Sequence, residues 1–169
     1  RIDMSAEYYS NYLKNNNKHM FSIIKQHFYG LQNTKVLCDE CKTMTDTFEM
    51  FLSLQLNIDE EIDNLSVNDC FKKYIKKDIL KNENSFYCKT CKKLVNKGYK
   101  WMKLWNNPSI LVLQLSRFIN KNNIMKKITK PIIINDTINI KQYIDSNYVK
   151  YLENQNTCFD YTLYAACCH

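Results

Sequence analysis

The clearest pattern in the chain is an alternation around residue 50. Phe48, Met50, Leu52, Leu54, Leu56 and Ile58 alternate with Thr47, Glu49, Phe51, Ser53, Gln55 and Asn57. A period of two predicts one continuous strand with a buried face and a mostly wet face. Lys97–Trp105 alternates in the same way and sets Tyr99, Trp101, Lys103 and Trp105 on one side. Such a face can stack bases, but packing against a neighbouring lobe or a partner fits it better. After Pro108, Ile110–Leu115 is nearly all apolar, which predicts a strand covered on both faces. Phe159–Cys168 reads as a last strand.

Helical spacing appears elsewhere. Met4–Leu13 is predicted helical, broken by Asn15–Asn17. In His19–Phe28, the residues Met20, Phe21, Ile23, Ile24, His27 and Phe28 form one apolar stripe, and Gly30 supplies the stop. His27 on that stripe reads as a packed or boundary residue, not a ligand. Ser66-Val67-Asn68-Asp69 has the form of a capping box with Asp in place of Glu. Val67, Cys70, Phe71, Tyr74 and Ile75 then make one apolar face, with Cys70 a small core residue and not a nucleophile. Asn120–Lys127 is polar and basic and is predicted to be an exposed loop; residues 147–156 read as a surface excursion. Pro131–Ile134 and Ile138–Ile144 carry short apolar segments. Helices followed mostly by strands predict an α+β architecture.

Composition narrows this picture. The 169 residues are 45% hydrophobic, enough for a real core, and 2 Gly and 2 Pro leave no room for a flexible linker. The formal charge is +7, with lysines spread along the chain, which is weak evidence for a nucleic-acid partner. No run approaches the ~20 apolar residues of a membrane span, and no secretory leader is recognisable. With eight cysteines, a reducing cytoplasmic or nuclear compartment is expected. The chain opens at Arg1 and stops at His169 just after an apolar run, as an excerpt of a longer protein would.

The chemistry concentrates in two knuckles, Cys38-Asp39-Glu40-Cys41 and Cys88-Lys89-Thr90-Cys91. Two C-x-x-C pairs predict one closed tetrahedral zinc site, structural because four thiolates leave no open position. The knuckles are separated by 46 residues. Closing that loop costs about 3–4 kcal/mol, against about 10–16 kcal/mol from structural zinc. The other reading is four free thiols or two disulfides.

Several segments taken in order resemble the ubiquitin-specific protease family of deubiquitinating cysteine peptidases. Phe28-Tyr29-Gly30 before the first knuckle resembles its F-x-G, and Phe48–Leu54 its F-x-x-L-S-L strand. Asn84–Cys91 resembles N-x-Y-x-C-x-x-C. Lys100 through Phe118 resembles K…P-x-I-L…L-K-R-F, with Ser116 where the family usually has Lys. Lys130-Pro131 and Tyr161–Ala165 match two later strands. The resemblance implies a papain-like fold of fingers, palm and thumb, of which residues 1–169 would hold the fingers (33–104) and part of the palm. It implies one structural zinc on Cys38, Cys41, Cys88 and Cys91, and ubiquitin and ubiquitinated proteins as partners, with no nucleic acid and no membrane. It sets Ser116, Arg117 and Phe118 beside the channel for ubiquitin's C-terminal tail, and Ile119–Lys127 at a loop that can cover it. No catalytic residue is carried over: nothing matches the family's cysteine box, and His169 matches a histidine before the catalytic one. The readings to separate are part of an active thiol-dependent ubiquitin hydrolase, an inactive ubiquitin-binding scaffold of the same fold, and a zinc-ribbon nucleic-acid module.

Overall fold

The computed structural model describes residues 22–121, 123–146, 148–149 and 158–168. The helix predicted over Met4–Leu13, the start of the next at His19, most of the 147–156 excursion and His169 lie outside them.

A four-stranded antiparallel sheet forms the long axis. Its strands are β1 (Gly30–Cys38), β2 (Met44–Phe51), β4 (Asp78–Leu80) and β7 (Gly98–Asn106), in the order β2-β1-β7-β4. A hairpin of β5 (Phe86–Cys88) and β6 (Lys93–Val95) sits at one end. At the other end, β3 (Leu54–Asn57) pairs in parallel with β8 (Leu113–Ser116). Two further hairpin-like pairs join β9 (Phe118–Lys121) to β10 (Ile124–Lys127), and β11 (Thr137–Asn139) to β12 (Asp160–Thr162). The helices include α1 (Ile23–Phe28) and α2 (Val67–Tyr74), with short 3₁₀ turns at Asn82–Asn84 and Lys141–Tyr143.

The main core lies at the β3–β8 end. Leu54, Leu56, Phe71, Leu104, Ile140 and Tyr143 are almost fully buried there, and Phe71 stacks on Tyr143 with ring centroids 4.6 Å apart. A small second cluster of Cys38, Cys88 and Val95 occupies the far tip. α2 starts as its sequence predicts. The Ser66 hydroxyl accepts from the Asp69 amide at 3.2 Å, the Asp69 carboxylate accepts from the Ser66 amide at 3.2 Å, and Val67, Cys70 and Phe71 are buried.

Several expectations need correction. The alternating run is not one strand. A bend at Leu52-Ser53 ends β2 and sends β3 into a different sheet. The buried parity switches there: Phe51 is buried and Leu52 is exposed, while Leu54 and Leu56 are buried. The stripe on α1 is not a core face, since Ile23 and Ile24 are exposed and the helix has no buried residue. Gly30 is no helix stop. Tyr29 closes α1 in an extended conformation, and Gly30 opens β1, where a Cβ would collide with the Phe51 ring. Of the run Ile110–Leu115 only the end is strand, as part of β8, which pairs in parallel with β3, and it is covered on one face and not on both. Leu111, Leu113 and Leu115 pack against the core, while Val112 and Gln114, at the alternate positions, are exposed. The predicted loop over Asn120–Lys127 is instead most of the β9–β10 hairpin, turned at Asn123 with φ 61°.

The long sheet is tied to the core end by a buried ion cluster. Lys35 Nζ lies 2.9 Å from Asp145 and 3.6 Å from Asp46, each side chain about nine-tenths buried. Asn33 donates to Asp46 at 3.0 Å. Trp105 packs beside them, edge-on to Phe48 and stacked on Tyr148.

Candidate metal centre and adjoining groove

The tip of the sheet is built from two matching turns. β1 ends in Cys38 and β5 ends in Cys88. In each case the chain turns through three residues and reverses at a lysine in the left-handed region, Lys42 at φ 55° and Lys92 at φ 55°. Lysine is not a residue that favours this conformation, so the turn is held by what surrounds it. The Cys38 amide donates to Thr43 O at 3.0 Å, and the Lys92 amide donates to Cys88 O at 2.8 Å. Gly98, opposite Cys38 on β7, lets the strands close: a Cβ there would sit 2.9 Å from Leu37 O and collide with the Phe86 ring.

This geometry brings four sulfurs together. All four Sγ atoms of Cys38, Cys41, Cys88 and Cys91 lie within 4.8 Å of one another. Two of the approaches cross between the knuckles: Cys38 to Cys91 at 3.8 Å and Cys41 to Cys88 at 3.6 Å. These are too long for disulfides, whose sulfurs sit about 2.05 Å apart. They match the edge of a tetrahedron of sulfurs about 2.3 Å from a central ion, which is about 3.8 Å. The Cys91 amide also points at Cys88 Sγ, at 3.5 Å. The four cysteines therefore have the geometry to hold a metal ion, in a zinc-ribbon-like arrangement.

Without a cation the cluster is electrostatically divided. The hydroxyl and amide of Thr43 stabilise the Cys41 thiolate and hold that thiol at about 6. Cys91 is pushed up to about 12, first by its contact with Cys41 and then by burial. Four thiolates coexist only when a cation compensates them, so loading releases protons and weakens in acid. Acidic and basic side chains clamp the two knuckles from outside. Asp39 reaches Lys97 at 3.0 Å and Lys42 at 2.7 Å, and Glu40 reaches Lys93 at 2.7 Å. The sequence marks the four sulfurs by spacing alone. Nothing in it marks Thr43, Gly98 or these clamps, which depend on register.

The other predicted site residues lie at the far end of the molecule, at the mouth of a groove of about 1210 Å³ beside β8. Ser116, Arg117 and Phe118 all line it, and so do Tyr161–Cys168. Phe118 is exposed. The Arg117 guanidinium is committed to the chain itself, donating to Ile128 O at 3.2 Å and Lys130 O at 2.9 Å. It fastens the base of the β9–β10 hairpin, whose side is held by Lys126 on Glu60 at 3.1 Å. Tyr161 closes the groove floor by donating to Pro108 O, and burial pushes its hydroxyl up to about 12. Cys70 is buried, which raises its thiol. Cys158, Cys167 and Cys168 are exposed.

Comparison with known proteins bears on both regions. The family profile described as ubiquitin carboxyl-terminal hydrolase matches residues 3–169. Human ubiquitin carboxyl-terminal hydrolase 42 is 31% identical over 123 residues, which is 73% of this chain and 9% of that protein. Ubiquitin carboxyl-terminal hydrolase 4 of Arabidopsis thaliana is 28% identical, over 72% of this chain and 34% of its own length. Among solved structures, a yeast SAGA DUBm superposes with TM-score 0.67 at 28% identity, covering 81% of this chain and 31% of the other. A SAGA DUB module bound to ubiquitin aldehyde gives 0.65 at 28% identity, covering 86% and 31%. The chain thus spans about a third or less of each of these proteins.

Proposed function

Because this chain belongs to the ubiquitin carboxyl-terminal hydrolase family, we propose that it is the metal-pinned, ubiquitin-gripping part of a thiol-dependent hydrolase. The whole protein would remove ubiquitin from protein conjugates by cleaving the (iso)peptide bond at ubiquitin's C-terminal glycine. Residues 33–104 are the fingers, and the ion held by Cys38, Cys41, Cys88 and Cys91 is a single structural zinc. A thiol-only donor set suits zinc and leaves it no open position for chemistry. Ubiquitin and its conjugates are the partners, in the cytoplasm or nucleus.

The observation that carries this reading is the groove beside β8. It is lined by both Ser116–Phe118 and Tyr161–Cys168, although they are 43 residues apart at the nearest. The family resemblance sets the first of these segments beside the channel for an extended tail and matches Tyr161–Ala165 in the second to the strand that leads toward the family's catalytic histidine. Phe118 offers an exposed apolar surface to that tail, and Arg117 fixes the hairpin that overhangs it.

Isopeptide cleavage needs a thiolate with a base in reach. His27 is the described histidine; it lies at a boundary and its carbonyl accepts from the Ile110 amide at 2.9 Å. No hydrogen-bonded cysteine–histidine pair occurs among the described residues, and in this reading the nucleophile and base are supplied by other parts of the protein. The test uses the full-length protein and ubiquitin carrying a C-terminal electrophile. A covalent adduct on one cysteine outside Cys38, Cys41, Cys88 and Cys91 is expected. A folded protein that binds ubiquitin but forms no adduct would be the inactive scaffold.

A further inference from the structure

The lysines run along the whole chain, but the net positive charge is confined to one stretch of it. Residues 76–103 hold nine lysines against Asp78 and Glu83, so this stretch alone carries the whole formal charge of +7. Three of the nine are engaged: Lys93 with Glu40, Lys97 with Asp39, and Lys103 with Gln142 O at 3.2 Å. Lys76, Lys77, Lys81, Lys89, Lys92 and Lys100 are exposed, and none has a carboxylate within 4.0 Å among the described residues.

The concentration centres on β4. This strand pairs with β7 on one side and has no strand on the other. Its flanks read Lys77-Asp78-Ile79-Leu80-Lys81, and alternation puts Lys77, Ile79 and Lys81 on one face. Ile79 is 54% exposed. Lys77 is braced, its Nζ lying 4.1 Å from the Tyr99 ring centre and 5.0 Å from that of Trp101. A charged side chain on an edge strand deters pairing between copies of the same chain. That guard role accounts for a lysine at the edge. It does not account for a bare isoleucine between two lysines, or for six cations without a counter-charge.

We propose that the outer edge of β4 is a docking site for an acidic extended segment of a partner protein, which adds to the sheet as a fifth strand. The incoming strand would carry acid, apolar and acid at alternate positions. Its backbone would satisfy the free edge, its two carboxylates would meet Lys77 and Lys81, and its apolar residue would cover Ile79. The surrounding lysines would speed encounter and make binding salt-dependent. Acidic protein is favoured over nucleic acid for two reasons. The patch holds lysine and no arginine, and arginine is the residue suited to bidentate phosphate and base contacts. The aromatic rings that would stack bases already carry the Lys77 ammonium.

The experiment uses the purified full chain and a fluorescein-labelled peptide TETETVTETE, followed by anisotropy. Binding is expected to weaken at least about tenfold between about 50 and 200 mM salt. Lys77→Glu/Lys81→Glu should lose at least about tenfold in affinity and gain binding to the charge-swapped peptide TKTKTVTKTK, which shows that the variant is folded and the pairing direct. Lys126→Glu/Lys127→Glu, on the separate β9–β10 hairpin, should bind as the parent does. The proline-interrupted peptide TETEPVPETE should bind much more weakly, because it lacks the amides a strand needs. Four results would each overturn the proposal: equal binding of the proline peptide, no effect of the Lys77/Lys81 reversal, tighter binding of a thymidine oligonucleotide, or displacement of the peptide by ubiquitin.

Discussion

At the scale of single residues, spacing and chemistry made the metal ligands legible and left their environment hidden. Two C-x-x-C pairs identify four sulfurs wherever they lie in space. The residue that tunes one of them, Thr43, is an ordinary threonine in the sequence. Cys38→Ser is expected to release zinc and unfold the tip, whereas Cys168→Ser, at an exposed thiol, should keep it; metal analysis of the two purified variants checks this. A second expectation concerns acid. Asp69 is held down to about 2, first by the Ser66 hydroxyl and then by Lys72. A carboxyl depressed in the folded state adds stability that is present above its unfolded value near 4 and is lost as pH falls toward 2. Unfolding followed from pH 6 to 2 should show this loss, and Asp69→Asn should flatten it. Ser66→Ala should cost about 1 kcal/mol at neutral pH through the lost cap.

At the scale of elements, α2 was readable because its signals are local: a cap, then an apolar face at helical spacing. The strands were harder. Alternation over Phe48–Ile58 predicts one strand because a bend at Leu52-Ser53 leaves no Gly or Pro to mark it. Only pairing reveals it, with β2 joined to β1 and β3 joined to β8. β4 was not legible at all, since Asp78–Leu80 is three residues whose strand character comes from β7. Lys35 is the same kind of case. In the sequence it is a polar residue in a strand; in the fold it is 7% exposed between Asp46 and Asp145. Removing one member of a buried charge cluster leaves its partners uncompensated, which costs about 3–5 kcal/mol. Lys35→Ala should therefore lower stability by that amount in urea denaturation, more than any substitution of an exposed lysine on the same sheet.

At the scale of the whole molecule, the α+β class and the family were accessible because an ordered set of short segments carries them, each weak alone. The relation between the two ends was not accessible. The metal tip and the groove lie at opposite ends of one sheet, joined by β1 and β7, which run antiparallel in near-continuous register. Each end has its own cluster of buried residues. The tip is held by sulfur and ion pairs, while the base is held by aliphatic and aromatic packing, so the two should fail under different insults. If the four sulfurs hold the proposed zinc, chelator should loosen the first and leave the second to denaturant.

The indoles of β7 offer a way to watch this. Trp105 is 4% exposed and wedged between Phe48 and Tyr148, whereas Trp101 lies half-open under an ammonium group. The chain has no other tryptophan, so its ultraviolet emission is a sum of one shielded and one semi-exposed fluorophore. Stripping the metal should shift the emission to longer wavelength in Trp105→Phe, where Trp101 alone reports, and leave Trp101→Phe nearly unmoved. A molecule that carries its own two-channel optical gauge along one strand needs no attached dye for its loosening to be followed.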